Sequence, residues 1–178
     1  DGAYMMTRLV DYIVEHLSQQ IKAGCDTVQV FDSWASDLGE EHIIPYCYEP
    51  TAQIVERLRA LHPDVGIIVF PRLIGEEINN FSKYVNADCI SLSDDMKTDW
   101  ILKRMGSQCL QGGIPPQVLL SERKEEIIRG TVPMIRQMKD CAYVVNLAHG
   151  INKETPVENV RFFIEIVKRN RENITRET

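Results

Sequence analysis

Val28-Gln29-Val30-Phe31-Asp32-Ser33-Trp34-Ala35-Ser36-Asp37-Leu38 changes character halfway along its length. Val28, Val30 and Phe31 make a short β-prone run, because branched and aromatic side chains pack well on a pleated surface. Asp32, Ser33, Ser36 and Asp37 then gather together, so a strand is expected to end in a polar loop. An α/β barrel builds its site in this way, from side chains delivered at the C-terminal ends of buried parallel strands. If 28–31 is such a strand, helices and further parallel strands must alternate on either side of it.

Upstream, Leu9, Ile13, Leu17 and Ile21 recur every four residues with Val10 and Val14 beside them, which predicts an amphipathic helix over 9–23 stopped by Gly24. Downstream, 40–48 predicts a short helix or turn. A stronger helix opens at Pro50, with Ile54, Val55, Leu58 and Leu61 on one face. It stops at His62-Pro63, because a residue before proline is pushed out of the helical region. The run 65–70 is apolar apart from Gly66, as expected of a strand buried on both faces, and Pro71 and Arg72 end it. Residues 75–85 predict a short helix facing inward through Ile78, Phe81 and Val85, with Glu76 and Glu77 near its positive dipole end.

A strand over 89–92 follows, then the acidic turn Ser93-Asp94-Asp95. Thr98 is expected to cap a helix reaching Met105, with Gly106 as its left-handed stop. After a brief strand over 108–111, Gly112-Gly113-Ile114-Pro115-Pro116 reads equally well as a plain turn or as a close backbone approach to a ligand. Ser121 should start a longer helix bent near Pro133. The last strand is expected over 142–147. Thr155 at N-cap, Pro156 at N1 and Glu158 at N3 then suggest a capping box. The helix they open would bury Val157, Val160, Ile164 and Val167, and 168–178 would be solvated helix and fraying tail.

One helix followed by five strand–helix units, without a hairpin signal, implies right-handed crossovers and a parallel sheet. No Gly-x-Gly-x-x-Gly follows any strand, which argues against a dinucleotide-binding sheet. A closed eight-unit barrel takes about 250 residues, so 178 residues are too few for an ordinary one. The fold class expected is therefore an incomplete (β/α)8 barrel of about five units. The chain also begins at Asp1 without a methionine, and is expected to be a truncated piece, a split half or a naturally short relative.

The net charge of −6, with no basic cluster, argues against nucleic acid and anionic membranes as partners. No run approaches the length needed to cross a bilayer, and a cytoplasmic location is expected. The five cysteines, Cys25, Cys47, Cys89, Cys109 and Cys141, are widely spaced without a Cys-x-x-Cys pair, as expected of buried thiols in a reducing compartment.

Phe31-Asp32-Ser33-Trp34-Ala35 resembles the signature of the uroporphyrinogen decarboxylases, which remove carbon dioxide from the acetate arms of a tetrapyrrole. The resemblance continues, in family order, through Ala23-Gly24-Cys25-Asp26, Pro45-Tyr46, Gln111-Gly112, Asn146-Leu147-Ala148-His149-Gly150 and Thr155-Pro156-Val157-Glu158-Asn159-Val160. It covers nearly all of the chain, but corresponds only to the C-terminal half of such an enzyme. Residues 1–178 are then the C-terminal part of one barrel domain. The resemblance implies conversion of uroporphyrinogen III to coproporphyrinogen III, no metal or organic cofactor, and a homodimer in the complete protein.

It also implies that the hydroxyl of Ser33 and the imidazole of His149 contact the substrate, with Phe31 beside the macrocycle. The arginine-rich substrate loop, the pyrrole-binding aspartate and the active-site tyrosine of the family belong to the half not represented, so the main catalytic groups are expected there. From position alone, Ser33 would be a loop-stabilising serine, Phe31 a core residue and His149 a histidine bonded to loop backbone. Arg72 also follows a strand, but a surface salt bridge is its expected role. Asp94 and Asp95 are expected to be solvated.

Departures from the family pattern bear on loop geometry: Gly113-Ile114-Pro115-Pro116 stands where Asn-Leu-Asp-Pro is common, Ala148 replaces a usual glycine, and Ser93 sits near a usual aspartate. Two alternatives are a catalytically silent relative that keeps a tetrapyrrole- or anion-binding surface, and a zinc-dependent corrinoid methyltransferase relative. The His-x-Cys of the second is absent, and His42 and Cys47 are isolated.

Overall fold

The computed structural model describes residues 2–177, and the side chains of residues 2–170. It shows an α/β fold with a five-stranded sheet in the order β1-β2-β3-β4-β5. The strands are β1 (Thr27–Asp32), β2 (Gly66–Pro71), β3 (Cys89–Leu92), β4 (Cys109–Gly112) and β5 (Tyr143–Val144). The helices are α1 (Gly2–Lys22), α2 (Glu40–Ile43), α3 (Glu49–Leu61), α4 (Ile78–Val85), α5 (Thr98–Met105), α6 (Lys124–Gln137) and α7 (Val157–Glu177). The chain divides into two compact units, 1–91 and 92–178.

In the first unit, β1 pairs β2 in parallel from Thr27↔Gly66 to Asp32↔Pro71, and β2 pairs β3 through Ile68↔Cys89 and Val69↔Ile90. The ladder is closed at its two ends by the Gly66 N–H donating to the Asp26 carbonyl at 3.1 Å and the Arg72 N–H to the Asp32 carbonyl at 3.0 Å. Val28, Val30, Ile67, Val69 and Ile90 are buried and share one face, whereas Thr27 and Phe31 on the other face of β1 are exposed and Ile68 of β2 is only half-buried, so the expected burial of the 65–70 run on both faces is met only in part. The core is completed by Val10, Val14 and Leu17 of α1, Ile54, Val55 and Leu58 of α3, and Ile78, Phe81 and Val85 of α4. Asp88, just before β3, accepts the Ile67 N–H at 2.8 Å and the Arg59 guanidinium at 3.0 Å, tying the start of the sheet to α3.

Two expectations about inward faces are corrected here. Leu9 is exposed, and α1 turns Val10, Val14, Leu17 and Ser18 inward. Each four-residue step advances about 40° around a helix of 3.6 residues per turn, so a row spaced by fours drifts off any one face. Leu61 is also exposed, lying in the last turn of α3, which His62 closes with an extended φ of −141°.

In the second unit, β4 pairs β5 in parallel through Leu110↔Tyr143 and Gln111↔Val144. The expected strand over 142–147 is reduced to these two residues and a separate bridge, Ile114↔Leu147. Gly112 and Gly113, at φ of 82° and 85°, turn the chain between the two pairings, and the Tyr143 hydroxyl donates to the Gly112 carbonyl at 2.6 Å. A Cβ on Gly113 would meet only the flexible end of Met134 at 2.4 Å and Leu92 Cβ at an ordinary 3.7 Å, so the φ of 85°, which side chains rarely adopt, is what calls for glycine. Ile114, Leu119, Ile127, Phe163 and Ile166 form the core, flanked by Val132, Met134 and Val160.

Helix termini in this unit differ from expectation. Gly106 is right-handed (φ −63°, ψ −12°); a Cβ there would meet the Leu102 carbonyl oxygen at 2.6 Å, so close approach, not handedness, calls for glycine. Thr98 is the first residue of α5 and makes no cap; its hydroxyl faces Met134 Sδ at 3.5 Å. α6 starts at Lys124, with the Ser121 hydroxyl accepting the Arg123 N–H at 3.0 Å and donating to Glu126 at 2.6 Å.

The capping box before α7 is absent as well. Thr155 Oγ1 is buried without a partner among the described residues, and Glu158 pairs with Arg161 at 2.9 Å. Asn159 does the anchoring, its amide donating to the carbonyls of Leu119 at 2.8 Å and Ser121 at 2.9 Å. α7 buries Phe163 and Ile166, whereas Val157 and Ile164 are exposed, because the aromatic ring takes the core position. The expected fraying tail ends at Thr178, outside the described residues.

Candidate functional site

The end of β1 places two aromatic rings in the open. Phe31 is 66% exposed and Trp34 is 73% exposed, although a β-prone run ordinarily buries such rings. Phe31 is therefore not a core residue. Its ring meets the buried ring of Phe70 edge-on, centroids 6.3 Å apart and planes at 90°, which fixes its orientation without covering it. Ser33 lies between the two aromatics, half-buried, and its hydroxyl enters none of the hydrogen bonds of the described residues. A rigid apolar ring beside an uncommitted hydroxyl can hold a flat ligand that carries polar arms.

Asp32, between Phe31 and Ser33, goes the other way. Its carboxylate accepts hydrogen bonds from the Cys47 thiol and the Trp34 backbone N–H. Burial pushes its pKa above the ordinary 3.8, with those two bonds pulling back only in part. Burial and the neighbouring Asp32 carboxylate push the Cys47 thiol up too, so it is a poor nucleophile. Cys47 comes from the π-helical turn 44–48, whose Pro45 has no N–H to donate to a regular helix. This pair anchors the turn that carries Ser33.

Because the folded-state pKa of Asp32 lies above its unfolded value, the native state binds more protons than the unfolded state in the window between them. Stability conferred at this position therefore falls as pH rises through that window, which opens at 3.8 and closes at the raised folded value. Asp32→Asn keeps an oxygen acceptor for Cys47 and Trp34 and removes the buried charge. It should melt higher than the parent at about pH 7.5, with the difference vanishing in acid. Paired melting curves across pH check this, and a lower melting temperature at neutral pH would contradict it.

A cavity of about 680 Å³ opens in the same unit, lined by Ala35, Leu38, Ile43, Tyr48, Leu73 and Glu77 among others. Tyr48 is buried and donates to both the Glu77 carbonyl at 3.0 Å and its carboxylate at 2.9 Å; burial and this carboxylate push its hydroxyl pKa up. With Glu40 and Glu77 as its charged lining groups, the cavity does not suit a polyanion, and neither Phe31 nor Ser33 lines it.

In the second unit, His149 follows the Ile114↔Leu147 bridge, where the Ala148 N–H donates to the Ile114 carbonyl at 2.7 Å. Ala148 is buried in that ladder, and His149 is exposed. Its Nδ1 stands 3.4 Å from the Gly150 carbonyl, a long local contact that leaves Nε2 to face outward chemistry. Phe31 and Ser33 thus stand together on the first unit, and His149 stands at a strand end of the second. Asp94 and Asp95 are exposed.

Arg72 departs from expectation. It is half-buried, and no carboxylate lies within ion-pair distance of it among the described residues. Also among the described residues, no three of His, Cys, Asp or Glu gather as a metal site would require. No helix there is long and apolar enough to cross a membrane. Sequence reasoning missed the exposure of Trp34 and the partnership of Asp32 with Cys47. The second joins residues fifteen positions apart through a turn of unusual geometry, for which no local pattern exists.

Comparison with known proteins gives a consistent result. Residues 3–170 match the family model described as uroporphyrinogen decarboxylase. The chain is 31% identical over 166 residues to the uroporphyrinogen decarboxylase of Cereibacter sphaeroides (strain ATCC 17025), covering 92% of this chain and 48% of that one. It is 34% identical over 160 residues to that of Orientia tsutsugamushi (strain Boryong), covering 90% and 47%, and 32% identical over 167 residues to that of Paracoccus denitrificans, covering 93% and 48%. The chain spans about half the length of the curated relatives it matches.

Proposed function

Because the chain belongs to the uroporphyrinogen decarboxylase family, we propose that the full-length protein removes the acetate carboxylates of uroporphyrinogen III as carbon dioxide, giving coproporphyrinogen III. The observation that carries this beyond the family match is the exposed Phe31 ring beside the uncommitted hydroxyl of Ser33 at the end of β1. The ring offers a face to the macrocycle, and the hydroxyl donates to one of its carboxylates. His149 takes a second carboxylate through the ring nitrogen that its one long local contact leaves open.

Each acetate sits on a pyrrole ring, and that ring is the electron sink. Protonation of the ring carbon next to the one bearing the acetate leaves an electron-poor pyrrole conjugated to the acetate arm. The carbon–carboxylate bond then breaks, its electron pair enters the ring system through an exocyclic double bond, carbon dioxide leaves, a second proton completes the methyl group, and loss of the first proton from the ring carbon restores the pyrrole. The chemistry needs a held ring, a placed proton and neutralised carboxylates. Residues 1–178 supply the first and third through Phe31, Ser33 and His149. The proton-handling groups belong to the half of the relatives' length that this span does not match. The two together would close one barrel domain, acting as a cytoplasmic homodimer without nucleic acid or membrane as partner.

Incubating the full-length protein with anaerobically prepared uroporphyrinogen III, then resolving the oxidised porphyrins by chromatography, tests this. Coproporphyrin and partially decarboxylated intermediates are expected from the full-length protein and none from residues 1–178 alone. Unchanged uroporphyrin after prolonged incubation of the full-length protein would overturn the assignment, and product from residues 1–178 alone would overturn the division of labour.

A further inference from the structure

The β1–β2 ladder ends at Asp32 and Pro71, and Ser33 and Arg72 open the turns that follow. Asp32 is level with Pro71, and the Arg72 N–H donates to the Asp32 carbonyl at 3.0 Å, repeating the bond from Gly66 to Asp26 at the other end of the ladder. Ser33 and Arg72 each stand two residues beyond the paired Phe31 and Phe70, at the ends of neighbouring strands. Side chains alternate along a strand, and Phe31 and Phe70, whose rings touch, mark one face of the pair at this end. Asp32 falls on the opposite face with Cys47, which is why the nearest carboxylate along the chain does not pair with Arg72.

The guanidinium at this position is unsatisfied in a telling way. Arg57 and Arg59 of the same unit reach carboxylates at 2.8 Å and 3.0 Å, in a chain of net charge −6 where anionic partners are plentiful. Arg72 is half-buried and has no such partner among the described residues. A partly desolvated guanidinium draws an anion, and its planar fork matches the two oxygens of a carboxylate.

We infer that Arg72 is a further substrate-binding residue, pairing with the tetrapyrrole carboxylate to which Ser33 donates while Phe31 lies against the ring. This rests on the function proposed above. The Ser33 hydroxyl sets where the carboxylate sits, and Arg72 neutralises it. A pyrrole arm bearing a neutral amide or ester would lose the ionic part of this contact.

The test uses the full-length protein and three variants, Arg72→Gln, Arg72→Lys and Ser33→Ala/Arg72→Gln, each checked for a parental melting temperature. Arg72→Gln should raise KM for uroporphyrinogen III by about ten-fold or more, with a smaller change in kcat, and Arg72→Lys should recover part of the loss. The double variant should lose less than the product of the two single losses, because both side chains hold one carboxylate. A parental KM in Arg72→Gln, with an active parent, would overturn the inference and leave the proposed function standing. An inactive parent would instead overturn the proposed function. If Arg72→Gln does not fold, Arg72→Lys decides: a KM raised about three-fold or more supports the contact, and an unchanged KM refutes it.

Discussion

Phe81→Ala should lower the stability of the first unit by about 3–5 kcal/mol, the range for truncating a fully buried aromatic ring. Phe81 is 1% exposed, and it packs edge-on against Tyr48 with centroids 5.2 Å apart. Tyr48 in turn holds Glu77 through its hydroxyl and closes the π-helical turn that carries Cys47. Removing the ring leaves a void and frees Tyr48, so the loss should spread to the Asp32 anchor beneath Ser33. Chemical denaturation of parent and variant measures it. A loss of under about 1 kcal/mol would mean that the α4 contact is not part of the core supporting the site.

The second large effect is on turnover. Ser33→Ala and His149→Asn in the full-length protein should each lower kcat/KM by about 1–3 kcal/mol, the scale of a lost hydrogen bond to a charged group. Melting temperatures should barely move, because the Ser33 hydroxyl enters no hydrogen bond of the described residues and His149 is exposed with one long local contact. Parental kinetics in both variants would return them to ordinary loop roles. Loss of folding in place of activity would show that they serve the loops.

Strands whose apolar run is bounded by polar residues could be read directly: β3 lies at 89–92 as the sequence suggests, β2 shifts by one residue, and β1 gains one residue at each end. Helix faces were harder. Leu9, Leu61, Val157 and Ile164 fit a local period yet lie in the open, because which of several apolar rows turns inward is settled by the sheet and by bulk, as when Phe163 takes the core position. Caps failed for a related reason. Thr155 has the right chemistry, but Asn159 holds α7 to the 119–121 segment through a contact spanning about forty positions, which no local pattern encodes.

At the site, Ser33 and Phe31 could be picked out by family resemblance, while position alone would have assigned Phe31 to the core. The sequence does contain a clue to Arg72. Arg72 lies two residues beyond Phe70 as Ser33 lies two beyond Phe31, an equivalence that shows only once the 39-residue offset between β1 and β2 is known. That offset is a property of the pairing, not of either strand. The Asp32–Cys47 bond is likewise invisible until the turn over 44–48 is folded.

The most direct test of the central claim is a crystal structure of the full-length protein with coproporphyrinogen bound. The account predicts the macrocycle against the Phe31 ring, with one propionate carboxylate within hydrogen-bond distance of Ser33 Oγ and of the Arg72 guanidinium. A product bound elsewhere, with Phe31 and Ser33 still facing solvent, would contradict it.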